Sequence, residues 1–237
     1  MTPLLKATSE YWKDISREWK RVRQSVDADS VHDLRVASRR AVSSILLLES
    51  VLKVNRPVKC RRRIKRLMKK LGQLRDVQVQ ISIVEKWKPT RLVAEFLDSL
   101  RQIEKDEGRA ARKYLNASRR KKIRRSLKTL ERKATPVLQS TTAGTIKRRI
   151  EETLNERRVD LRMARVSLLP SNPQKLHALR VAAKKLRYCL EAARPLVGAA
   201  PRTELQQLHW YQTRLGHMRD VQILNEKFQQ WKSQRAA

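Results

Sequence analysis

Acidic residues are in short supply. Only 23 Asp and Glu stand against 56 Lys and Arg in 237 residues, a formal net charge of +33. Self-repulsion at that charge opposes compaction, so a polyanionic partner is expected, and nucleic acid, an anionic membrane and inorganic polyphosphate all qualify. A disordered basic tail is excluded, because a 40% hydrophobic content over this length suffices to bury a core. Cysteine is nearly missing too. Cys60 and Cys189 have no CxxC partner, which reads as two buried thiols in a reducing cytoplasm. No apolar run approaches the roughly 20 residues that span a bilayer, and the opening "MTPLLKATSEYWKD" lacks the apolar stretch of a signal peptide. The expectation is a soluble, cytoplasmic protein.

Glycine and proline are scarce, and no sustained period of two is present. Apolar residues recur at three and four spacing instead, and Pro57, Pro89, Pro136, Pro170, Pro173, Pro195 and Pro201 punctuate the periodic stretches. Ser30, Thr90 and Ser171 or Asn172 signal helix starts, with Pro173 suited to a first turn. The reading is all-α, with helices near 4–27, 31–54, 57–87, 91–116, 119–134, 143–168, 173–195 and 202–232.

Two blocks occur twice. "HDLRVASRR" (32–40) returns as "HALRVAAKK" (177–185), and "KLGQLRDVQV" (70–79) as "RLGHMRDVQI" (214–223). His32 and His177 lie 145 apart, Gly72 and Gly216 lie 144 apart, and Trp87 and Trp231 keep the latter offset. Same order and nearly one offset indicate an internal duplication, hence two related helical bundles forming one compact basic unit. A single domain over 1–237 is expected, its first half about 1–118 and its second about 119–237.

At about 100° per residue, Leu34, Ala41, Ile45, Leu48 and Leu52 form one stripe, while His32, Arg35 and Arg39 take the opposite side with Arg40 flanking. The second copy repeats this, with Leu179, Leu186, Leu190 and Ala193 opposed to His177, Arg180, Lys184 and Arg187. Both histidines are placed in a first helical turn, where free N–H groups attract an anion, and Arg one turn along offers a fork for two phosphate oxygens. Neither histidine has an HxxxH or HxxE partner for a metal. His209 and His217 occur only in the second copy and read as surface residues.

In the second block Ile64, Leu67, Leu71, Leu74 and Ile81 form the core stripe. Arg61, Arg62, Lys65, Lys69, Gly72 and Asp76 lie away from it, with Arg75 at the border. A helical glycine costs about 1 kcal/mol relative to Ala, so Gly72 and Gly216 need a reason, either a close helix crossing or an anionic chain near the backbone. Asp76 and Asp220 are expected to orient an Arg or a histidine N–H, with depressed pKa values. Two denser basic runs remain, "RPVKCRRRIKRLMKK" (56–70) and "RRKKIRRSLKTLERK" (119–133).

HxxRVxxRR followed by LGxxRD, the pair repeated, resembles the CHAD family (conserved histidine α-helical domain), over essentially the whole chain. The resemblance implies two helical bundles related by a pseudo-twofold, with a basic groove or channel. It also implies binding of inorganic polyphosphate and targeting to polyphosphate granules, without enzymatic activity, cofactor or metal. The matching positions are His32, Arg35, Arg39, Arg40 and Arg75 in the first copy, and His177, Arg180, Lys184, Lys185, Arg187 and Arg219 in the second; Lys65 and Lys69 are added from the basic run. Val42 departs, standing where the second copy has Arg187, and the ExExK signature of a triphosphate-cleaving domain is absent. Nucleic acid is the second reading. Base stacking would require aromatics among the cations, yet the ladders carry none apart from Tyr188. Phosphoryl transfer would require metal-binding carboxylates or a Walker loop, and neither pattern is present.

Overall fold

The computed structural model describes residues 3–54, 56–169 and 172–236. Among these it forms nine helices and no strand: α1 Pro3–Gln24, α2 Ala28–Val51, α3 Lys59–Lys70, α4 Gly72–Val84, α5 Arg91–Tyr114, α6 Ala117–Ser140, α7 Ala143–Val166, α8 Pro173–Val197 and α9 Arg202–Ala236. The all-α reading holds, and the apolar stripes are where the periodicity places them. Leu34, Ala41, Ile45 and Leu48 are buried on α2, as are Leu179, Leu186, Leu190 and Ala193 on α8. No described helix is long and apolar enough to cross a membrane.

The centre is a contact between α2 and α8. Helix α1 packs on α2 and α7 on α8; α3 and α4 cover α2, while α9 covers α8. One large core runs through both sides of this arrangement, from Trp19, Ile45 and Ile64 to Ile150, Leu186 and Leu208. Each fully buried aliphatic side chain there contributes about 1.5–3 kcal/mol. A smaller core joins Val77, Ile81 and Val84 of α4 to Phe96 and Leu100 of α5 and Leu224 of α9. Trp87 and Trp231 both serve this second core. Trp87 meets Phe228 edge-on at 5.8 Å, and Trp231 lies 5.2 Å from Phe96. Helices α5 and α6 have no counterpart in the second repeat; α5 packs on α4, and α6 on α3 and α1.

Several local expectations are corrected. The cap of α2 is Asp27, whose carboxylate accepts from the Ser30 N–H at 2.7 Å, so the helix begins before Ser30. Thr90 and Asn172 do cap α5 and α8, whereas Pro170 and Ser171 lie outside the described residues. Pro136 and Pro195 fall inside α6 and α8 rather than ending them. Pro136 is exposed, as is Arg132, whose carbonyl loses its N–H partner, so water can take the freed group. The expected helix 57–87 is broken at Leu71 into α3 and α4.

Long-range polar ties fix the packing. The indole N–H of Trp19, itself fully buried, donates to the Leu115 carbonyl at 3.1 Å, tying α1 to the end of α5. Buried Glu49 of α2 meets Arg61 at 2.7 Å and accepts from the Val58 N–H at 2.7 Å, closing the start of α3. Cys60 and Cys189 are free, buried thiols. We predict that Trp19→Phe costs at least about 1–3 kcal/mol in a urea titration, because a buried carbonyl loses its donor and the smaller ring leaves a cavity. An unchanged midpoint would mean that the bond contributes nothing.

Candidate functional site

The α2–α8 contact brings the two cationic ladders together. Arg35 and Arg39 of α2 lie close enough to Arg180 and Lys184 of α8 to perturb one another electrostatically, and Arg75 and Asp76 of α4 join them. From α9, Asp220 enters the same cluster beside Arg180, Asp76 and Lys184. His32 feels Arg75 and Arg39; His177 feels Arg180, Arg219 and Lys184. Eight expected site residues thus gather in one place: His32, Arg35, Arg39, Arg75, His177, Arg180, Lys184 and Arg219.

The glycines now have a partner. A Cβ on Gly72 would meet a terminal nitrogen of Arg35 at 3.9 Å, and one on Gly216 would meet Nε of Arg180 at 3.6 Å. Each repeat therefore lays the Arg of its HxxR block over the Gly of its LGxxRD block. An added Cβ would make only ordinary contact there, so this placement does not by itself demand the small residue. In the first copy Arg35 also donates to the Met68 carbonyl at 2.6 Å. That carbonyl is the one an uninterrupted helix would offer to the Gly72 N–H. A side chain entering the backbone ladder is a recognised cause of a kink, and it coincides with the α3–α4 break. In the second copy α9 runs unbroken through Gly216.

Burial and like charge act together on these groups. Loss of surrounding water, then Arg39, Arg180 and Arg35, bring the Lys184 ammonium down to about 7. The same loss, reinforced by Arg39, brings Arg35 down to about 10. Both histidines are pushed below their ordinary value, first by lost hydration and then by the neighbouring arginines. The depressed carboxylates expected at Asp76 and Asp220 are overturned. Both are raised, chiefly by lost hydration, and Asp220 is raised further by Asp76, so these are two facing carboxylates rather than lone ones. The arginines pull the other way and do not prevail.

The helix-terminus part of the expectation is also overturned. His32 and His177 are each the fifth residue of their helix, past the turn that holds free N–H groups. Of those N–H groups, Asp27 engages that of Ser30 on α2, and Asn172 accepts from Gln174 and Lys175 on α8 at 3.0 and 3.1 Å. What the cluster presents is therefore side-chain charge, not helix-terminal N–H groups at the histidines.

The remaining expected residues are placed apart from it. Lys65 and Lys185 approach each other, with Arg61 and Arg157 also close to Lys65. Lys69 is exposed on α3. Arg40 and Arg187 both turn to Glu191, at 3.7 and 3.2 Å. His209, read as a plain surface residue, contacts Arg187 at 3.4 Å. Two neighbours were not selected from sequence. Tyr188 is 4% exposed and its hydroxyl meets Arg39 at 3.4 Å. Lys227 donates to Gln80 at 3.2 Å and faces Asp76. The offset that equates Asp220 with Asp76 could have pointed to the α4–α9 contact that houses Lys227, but a lone Lys carries no pattern. Among the described residues no three His, Cys, Asp or Glu side chains are grouped to hold a metal ion.

We predict that Gly216→Ala is tolerated, with stability raised by about 0.5–1 kcal/mol from helix propensity, since the added Cβ makes an ordinary contact with Arg180. Thermal unfolding checks this. A lowered midpoint would show that Arg180 needs the open backbone beneath it.

The family model described as CHAD domain matches residues 6–229. The crystal structure of the CHAD domain from the plant Ricinus communis is similar with a TM-score of 0.80, covering 98% of this chain and 78% of that chain at 21% identity. At that identity the likeness is one of fold. No curated protein matches.

Proposed function

The chain belongs to the CHAD-domain family, and on that footing we propose that it binds inorganic polyphosphate through the convergent cluster of α2, α4, α8 and α9, as a binder and not an enzyme. The observation that carries the reading is the meeting of two cationic ladders at one site, where burial first and the neighbouring arginines second bring the Lys184 ammonium down to about 7. A chain with about one negative charge per phosphate relieves that repulsion at each step, and arginine forks grip its oxygens in pairs. Granule targeting belongs to the same reading. Side chains alone present the charge, which suits a flexible anion with no bases to be read.

Aromatic placement at the cluster favours polyphosphate over nucleic acid. Tyr188, the one aromatic on the ladders, is buried with its hydroxyl turned to Arg39. Trp87 and Trp231 are packed with Phe96 and Phe228. Base stacking would need such rings free.

The test is a competition titration at about 0.15 M salt, where the screening length is about 8 Å. Labelled long-chain polyphosphate should be displaced far better, per unit charge, by unlabelled polyphosphate than by duplex DNA or single-stranded RNA. Equal competition would return the ladders to a generic basic surface. Release of phosphate during the incubation would overturn the non-enzymatic reading.

Arg180→Ala should weaken binding about 10- to 100-fold while leaving the helical circular dichroism unchanged, consistent with a charge-assisted bond of about 1.5–3 kcal/mol. Arg35→Ala should weaken binding similarly, with some added loss of stability from the freed Met68 carbonyl. Lost helix in Arg180→Ala would make that arginine structural.

Binding should also depend on pH. The free Lys184 has a pKa of about 7 and a bound polyanion raises it, so the complex takes up a proton above neutrality. Affinity is then fully developed below about 7 and declines as pH rises beyond it, by at most about tenfold per pH unit. Lys184→Arg stays charged and should flatten the profile between pH 7 and 9. A wild-type profile already flat over that interval would exclude Lys184 from the contact.

A further inference from the structure

Both dense basic runs contribute to one cavity outside the duplicated motifs. It has a volume of about 590 Å³ and lies between the start of α3 and the middle of α6. Lys59, Arg62 and Arg63 line it from α3, and Lys122, Arg125 and Lys133 from α6, with Arg56 at the edge. No carboxylate lines it. On α3 this is a different flank from that of Arg61 and Lys65, which look toward Glu49 and Lys185. Among the described residues Arg62, Arg125 and Lys133 are exposed and make no ion pair, whereas Arg63 donates to the Lys122 carbonyl at 2.6 Å and ties the two walls. The cavity is therefore formed before any ligand arrives.

Its lining is not cationic throughout. Val54, Pro57 and Val58, from the connection between α2 and α3, supply an apolar strip with Leu130 opposite. Ser126 and Thr129 also line it. Their hydroxyls donate to carbonyls of their own helix, at 2.8 and 3.0 Å, which leaves the oxygens free to accept. Cations, an apolar strip and hydroxyl acceptors, gathered in a volume typical of small-molecule sites, suit a compact ligand with several phosphates and an apolar ring better than a bare phosphate chain.

We propose that the α3–α6 cavity is a second anion site that takes a nucleoside triphosphate. The arginines and lysines of the two walls hold the phosphates, the strip of Val54, Pro57 and Val58 with Leu130 covers the base, and Ser126 and Thr129 accept from the ribose hydroxyls. The site does not use the convergent cluster and does not depend on its occupant.

The experiment is a calorimetric titration of the full chain at about 0.15 M salt with three probes: ATP, inorganic tripolyphosphate and long-chain polyphosphate. Wild type should bind ATP at one saturable site, at least fivefold more tightly than tripolyphosphate. The triple variant Arg62→Ala, Arg125→Ala, Lys133→Ala should weaken ATP at least tenfold, with unchanged circular dichroism. Arg180→Ala should leave ATP affinity within twofold of wild type. ATP binding that survives the triple variant, or is lost in Arg180→Ala, overturns the assignment of this cavity. Tripolyphosphate binding as tightly as ATP overturns the nucleoside part. Failure of wild type to bind long-chain polyphosphate while ATP behaves as expected would sink the central-cluster reading and leave this one standing.

Discussion

The contact between α2 and α8 is a like-charge encounter held closed by apolar packing. Arg35 and Arg39 on one helix face Arg180 and Lys184 on the other. Like charges brought together in a desolvated site repel, and that repulsion opposes the contact. The opposite faces supply what closes it. Leu34, Ala41 and Ile45 belong to the same core as Ala183, Leu186 and Leu190, and each large aliphatic adds about 1.5–3 kcal/mol. Asp76 and Asp220, brought in by α4 and α9, place two acidic groups among the cations. The remaining strain shows in Lys184, whose ammonium is held near neutrality. Folding the apolar faces together thus forces the cationic faces into one desolvated cluster.

The duplicated geometry is a second consequence. Each HxxR arginine lies beside a helical glycine, and Arg35 is also fixed by its bond to the Met68 carbonyl. An arginine fixed in that way has fewer rotamers to lose when it meets an anion than one on an open surface. The two copies differ in one respect: Arg35 draws on the Met68 carbonyl and the helix beneath it breaks, whereas α9 remains continuous beneath Arg180. The same motif is thus compatible with two backbone solutions.

Much of this was legible in the sequence for a simple reason. Periodicity reports which face of a helix meets the core, so Leu34 and Leu179 on one face dictate Arg35 and Arg180 near the other. The repeat offset likewise pairs the copies residue by residue. What was hidden depends on partners remote in the chain. The α3–α4 break needs Arg35, thirty-three residues before Met68, and no local propensity signals it. Asp27 takes the cap that Ser30 would have taken because its carboxylate reaches the Ser30 N–H, and that choice moves both the helix start and the free N–H groups away from His32. Arg40 and Arg187 share the ladder pattern yet turn to Glu191, an acid whose first-copy equivalent is the apolar Leu46, so the pattern could not announce the pairing.

Departure from symmetry carries chemistry of its own. Helix α6 belongs to neither duplicated block and packs beside α3. There it sets one basic run against the other and walls a cavity that the repeats alone would not form. The corresponding face of α9 lacks such a cover, and Trp210 remains 56% exposed on it. A run of cations such as "RRKKIRRSLKTLERK" looks like a uniformly solvated face when its helix is considered alone. Packed beside α3, the same run divides its labour: Ile123, Leu127 and Leu130 close the core, while Lys122, Arg125 and Lys133 face a concave volume. Net charge records only the sum of these cations. Which of them act together is decided by the helix each one faces.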